Sequence, residues 1–84
     1  MNEKIIGRLM YEDIHFKCFA EFGYIIPYNQ NPYEDDEIVW EIDFPDRARP
    51  YYCIYTNHTL VYKVKILTDT ALDTIIGYIK AVVK

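Results

Sequence analysis

The chain has 84 residues, 51% of them apolar and 17% aromatic with nine tyrosines, and a formal net charge of −4. That length suits one small domain, which buries a little over ~60% of the surface its unfolded chain exposes, and the apolar content excludes intrinsic disorder. The charge is polarised: residues 11–46 hold ten acids against Lys17 alone, a net of −9, whereas residues 47–84 hold six Lys or Arg against Asp69 and Asp73, a net of +4.

From Lys4 the chain reads as a strand over 4–11, then Glu12-Asp13 as a turn, then a second strand over 14–22. A two-residue turn there places Leu9 opposite Phe16 and Gly7 opposite Cys18, with the apolar positions on one face. The competing reading is a short helix over 3–11 using Ile5, Ile6, Leu9 and Met10. Gly7 and the lack of a capping residue favour the strand.

Residues 23–36 contain Gly23, Pro27 and Pro32 and keep no sustained period, so they read as a long acidic, tyrosine-rich loop. Loops of that length carry function more often than not. The next stretch, 37–44, alternates strictly and holds the only tryptophan. It is a strand with Ile38, Trp40, Ile42 and Phe44 on one face and Glu37, Val39, Glu41 and Asp43 on the other.

After a turn at Pro45–Pro50, two further strands follow, 51–56 and 59–67, in a hairpin whose turn exploits the tolerance of Asn57 for positive φ. Placing Phe44 opposite Tyr51 and Tyr55 opposite Leu60 collects Trp40, Ile42, Tyr51, Cys53, Tyr55 and Tyr62 on the inner face. Tyr52 and Ile54 then fall on the outer one. The last segment changes period: Leu72, Ile75, Ile76, Ile79 and Val83 recur at helical spacing, predicting a helix over 69–83 capped by Thr68 or Asp69. Gly77 within it reads as a site of close packing against the sheet. The expected fold is α+β, an antiparallel meander of about five strands in one domain, packed by one C-terminal helix.

Candidates for chemistry are few. The chain has no serine, its three glycines form no phosphate-cradling loop, and His15 and Cys18 point to opposite faces of their strand. The run Glu34-Asp35-Asp36-Glu37 lacks the alternating spacing and central glycine of a calcium loop. No catalytic residue, metal site or cofactor is expected, and the acidic middle disfavours direct contact with nucleic acid. Cys18 and Cys53 match no CxxC spacing and read as reduced thiols. The absence of a leader pattern and of a run of ~20 apolar residues points to a cytoplasmic protein with no membrane association.

The expected function is therefore a non-enzymatic protein-binding module or inhibitor. It would present Tyr28, Tyr33, Glu34, Asp35, Asp36 and Glu37 to a basic protein surface, with charge steering encounter and tyrosine supplying buried area. In size and acidity the chain resembles small phage-encoded inhibitors, some of which occupy the nucleic-acid site of a host enzyme. A homo-oligomeric assembly protein is the alternative, and a homodimer is expected because one helix ~10 Å across covers only half of a five-stranded sheet, the competing reading being that the 23–36 loop folds over the rest as a lid.

Overall fold

A computed structural model describes residues 3–34 and 37–83. The elements in chain order are helix α1 (Glu3–Tyr11), strands β1 (Phe16–Phe19), β2 (Tyr24–Pro27), β3 (Trp40–Asp43), β4 (Tyr52–Thr56) and β5 (Thr59–Val64), and helix α2 (Asp69–Val82). The strands form one antiparallel sheet in the order β1-β2-β3-β4-β5, a simple meander in the α+β class.

The first correction to the sequence reading lies at the N-terminus, where 4–11 is a helix and not a strand. Ile5 and Leu9, one turn apart, are both fully buried, so the stretch buries a single stripe, and Gly7 faces open space instead of Cys18. Glu12-Asp13 then ends a helix instead of turning a hairpin. Asp13 takes φ 59°, its N–H donates to Met10 O (3.1 Å), and the Ile14 N–H donates to Leu9 O (3.0 Å). This is the Schellman arrangement, which satisfies the last carbonyls of α1 and turns the chain into β1.

The fifth strand comes instead from the stretch read as loop: Tyr24–Pro27 is β2, joined to β1 by a turn in which Gly23 holds φ 79°. Pro27 sits at the end of its strand, opposite Phe16. Before β3, Gln30 holds residues 37–39: its amide donates to Glu37 O (2.7 Å) and accepts from the Val39 N–H (2.8 Å).

The second correction is one of register. Ile42 faces Ile54 and Asp43 faces Cys53, so Tyr52 and Ile54, not Tyr51, Cys53 and Tyr55, share the face of Trp40. Tyr55 does pair with Leu60, but a bulge between Ile54 and Tyr55 lets Ile54 face Tyr62 as well. A shift of one residue exchanges the two faces of a strand. Asn57 and His58 both take positive φ, 50° and 66°, as a two-residue primed turn requires.

Both helices lie on the side of Trp40. The core joins Ile5 and Leu9 of α1, Leu72, Ile75, Ile76 and Ile79 of α2, and Ile25, Trp40, Ile42, Tyr52 and Ile54 of the sheet. Helix α1 thus supplies cover that the homodimer expectation sought from a second copy. The N-cap of α2 is Thr68, whose hydroxyl accepts from the Ala71 N–H (3.1 Å). Gly77 is exposed with nothing within 4 Å of a Cβ, so the expected close packing there is absent. Both cysteines are free; Cys18 on β1 and Cys53 on β4 are three strand spacings apart, about 14 Å, beyond the reach of a bridge.

Ion pairs bind the two helices along their polar seam. Arg8 Nε lies 3.0 Å from Glu12 Oε2 and its Nη2 2.6 Å from Asp73 Oδ1, while Lys80 Nζ lies 2.7 Å from Glu12 Oε1. The hydrogen bond from Lys80, and after it that from Arg8, holds the Glu12 carboxyl below its ordinary 4.5. A carboxyl depressed in the folded state stabilises above its unfolded pKa, and the contribution is lost as pH falls through the folded one. Thermal melts should therefore shift down below about pH 4.5, and Glu12→Gln should show a smaller acid loss than the wild type.

Candidate functional site

The side of the sheet away from the helices carries the acids of β3. Alternation along β3 sends Trp40 and Ile42 to the core, and Glu41 and Asp43 to the far face. Opposite Asp43 stand Tyr24 on β2 and Cys53 on β4, and opposite Glu41 stands Tyr55. Lys63 on β5 pairs with Cys53, and its Nζ lies 5.0 Å over the Tyr51 ring.

The turn after β3 contributes one counter-charge. Asp46 and Arg49 clasp each other: the Asp46 N–H donates to Arg49 O (2.8 Å) and the Arg49 N–H to Asp46 Oδ1 (2.7 Å). So held, the Arg49 guanidinium reaches the Tyr55 hydroxyl at 3.5 Å and stands 3.9 Å from Asp43 Oδ2. At 3.9 Å and in contact with solvent, this pair is a weak one.

Two clefts meet at Glu41 and Asp43. One, of about 310 Å³, runs past Glu21, Phe22, Tyr24, Asp46 and Arg49; the other, of about 250 Å³, is closed by Ile38, Tyr55 and His58. Ile38 is buried but lies on this side and not beside Trp40 as alternation suggested, because the chain bends at Val39 before the strand begins. Ile26 is likewise fully buried outside the helix-side core. Ile38 and Tyr33 thus lie on the far side of the sheet, and Tyr33 approaches Tyr24 closely enough to oppose its ionisation.

The electrostatics of the floor follow from this packing. Burial, then a hydrogen bond with Asp43 and the Asp43 charge, push the Glu41 carboxyl up to about 8, against the opposing pull of Arg49. Asp43 Oδ1 is buried and meets no N–H or O–H donor from another residue among those described. Burial, first, and the charges of Tyr33, Glu41 and Asp43 raise the Tyr24 phenol.

The residues expected to form the interface divide between two places. Tyr28, 64% exposed, lines a groove of about 580 Å³ on the helix side with His15, Val39, Trp40 and Val83. Tyr33, 78% exposed, lies toward the far face in a turn where its N–H donates to Asn31 Oδ1 (2.9 Å), and Glu34 and Glu37 are exposed along the same segment. Asp35 and Asp36 lie outside the described residues. What the sequence reading missed is the cleft: Glu41 and Asp43 were legible as facing away from Trp40, but Tyr24 was hidden in a presumed loop and Arg49 in a turn.

Searches against protein-family models, curated proteins and solved structures find no match to this chain. Among the described residues no group of three or more His, Cys, Asp or Glu is placed to hold a metal ion, and no helix is long and apolar enough to cross a membrane.

Proposed function

We propose that the chain is a non-enzymatic protein-binding module whose far face, with Tyr33, Glu34 and Glu37 of the segment before β3, receives a basic partner. The observation that carries this reading is the crowding of four acids, Glu21, Glu41, Asp43 and Asp46, around a far-face cleft lined by one cation. On the helix side Glu12 and Asp73 are neutralised by Arg8 and Lys80 of the same chain. Glu21 on the far face, and Glu34 and Glu37 exposed in the segment before β3, enter no ion pair among the described residues, and Arg49 is the one cation lining the larger cleft. Clustered negative charge without internal counter-ions raises the local potential and speeds encounter with a positively charged surface. Phe22, 62% exposed, and Tyr33 stand at the rim, where aromatic groups bury area at low entropic cost. Such a surface suits the basic groove of a nucleic-acid-binding protein, the target of the phage inhibitors that this chain resembles in size and acidity.

The test is affinity capture from lysate at low and high salt, followed by kinetics on the recovered partner. Glu34→Lys with Glu37→Lys should lower the association rate about tenfold or more at low salt and flatten its salt dependence. Tyr33→Ala should instead raise the dissociation rate. A partner that binds the charge-reversed variant as fast as the wild type at low salt would overturn the reading.

A further inference from the structure

We infer that Glu41 and Asp43 hold one proton between them, a pH-sensitive device that sets the charge and stability of the far face. Three observations converge on it. Both side chains leave the same strand on the same side, two residues apart, and both line the same two clefts. Asp43 Oδ1 is buried and lacks any other donor among the described residues, and a buried acceptor without a donor carries a desolvation cost that a proton on Glu41 removes. The nearest cation, Arg49, reaches only the other oxygen, at 3.9 Å, and is also engaged by Tyr55 and by the Asp46 turn.

The remaining groups around the pair do not supply that proton's role. Tyr24 faces Asp43 from β2, Glu21 and Asp46 line the larger cleft and add negative charge, and Cys53 and Tyr55 face the pair from β4. His58 closes the smaller cleft, and Lys63, opposite Cys53, is drawn to the Tyr51 ring. Two carboxyl groups placed together in a half-buried site titrate as a unit, and one proton is retained to higher pH. The Glu41 carboxyl, pushed up to about 8, is the retained one.

The sign of the linkage follows. The folded chain keeps a proton that the unfolded chain releases near its ordinary 4.5, so the stabilisation is fully present below that value and is lost as pH rises through about 8. When the proton leaves, the face gains one negative charge. That this alters the capture of a basic partner rests on the proposed function; the titration itself is a property of the isolated chain.

The experiment is therefore made on the isolated full chain, so that its failure and that of the binding reading remain distinct. The Glu41 side-chain carboxyl carbon, followed by NMR, should titrate with a midpoint near 8. The melting temperature should fall by about 4–8 °C between about pH 6 and about pH 9, the solvent contact of the site holding the loss to that size. Glu41→Gln, whose amide can donate to Asp43 Oδ1 at any pH, should abolish that slope, and Asp43→Asn should bring the Glu41 midpoint down. Histidine ordinarily changes charge near neutrality, so His58→Gln is the control and should leave the Glu41 midpoint in place. A Glu41 carbon that titrates in the ordinary carboxylate range, or a Glu41→Gln variant that keeps the wild-type slope, would overturn the inference.

Discussion

Trp40→Ala should bring the largest loss of stability of any single substitution in the chain, about 3–5 kcal/mol. The indole is 1% exposed, opens β3, and lies in the cluster that joins Ile42 and Ile54 to both helices. Removing a buried tryptophan costs about 3–5 kcal/mol in lost transfer energy and cavity. The whole stability of an 84-residue chain, at roughly 0.05–0.15 kcal/mol per residue, is about 4–13 kcal/mol. A loss of that size removes from about a quarter of the margin to all of it. Far-UV circular dichroism and urea titration at 25 °C would measure it, with Trp40→Phe, which refills part of the volume, expected to retain the fold. Because the protein has one tryptophan, its native emission should also be blue-shifted and poorly quenched by iodide. An alanine variant that melts within a few degrees of the wild type would mean that this face of β3 does not carry the core.

The elements legible in the sequence are those where two independent signals agree. For α2 the helical period of Leu72, Ile75, Ile76 and Ile79 coincides with the Thr68 cap, and for the β4–β5 hairpin the apolar runs coincide with a turn residue suited to positive φ. The face of β4 was not legible, because Tyr51-Tyr52-Cys53-Ile54-Tyr55 is apolar or aromatic at every position and has no period to read. Its parity comes from pairing with β3, where Ile42 meets Ile54, and from a bulge that no local signal marks. Ile25-Ile26 in β2 fails for the same reason: one residue serves each face, and both are fully buried. A strand covered on both sides loses its alternation. The candidate site was half legible. Glu41 and Asp43 follow from strict alternation, whereas Arg49 arrives through a turn whose course composition does not determine, and Ile38 leaves its expected face because the chain bends at Val39.

Helix α1 is the element the sequence left most evenly balanced, since nine residues accommodate both a strand and two helical turns, and its substitutions should separate the two decisively. Leu9 is fully buried in the core with Ile5 and the apolar stripe of α2, so Leu9→Ala should cost about 2–5 kcal/mol, lowering the urea midpoint without changing the steepness of the transition. That loss alone would also follow if residues 4–11 were a strand with Leu9 inward. Gly7 distinguishes them. In a strand paired with 14–22 it would face Cys18 across the inner surface, where an added methyl must find room. In α1 it is exposed, with nothing within 4 Å of a Cβ, and alanine there favours the helix by about 1 kcal/mol. Gly7→Ala should therefore raise the melting temperature while Leu9→Ala lowers it, and Gly77→Ala on the exposed side of α2 should raise it by a similar amount, the two gains adding because a Cβ at either position meets nothing within 4 Å. The opposite sign at Gly7, with the gain at Gly77 intact, would place the N-terminal segment in the sheet and take from α2 the partner that Arg8, Glu12, Asp73 and Lys80 bind to it.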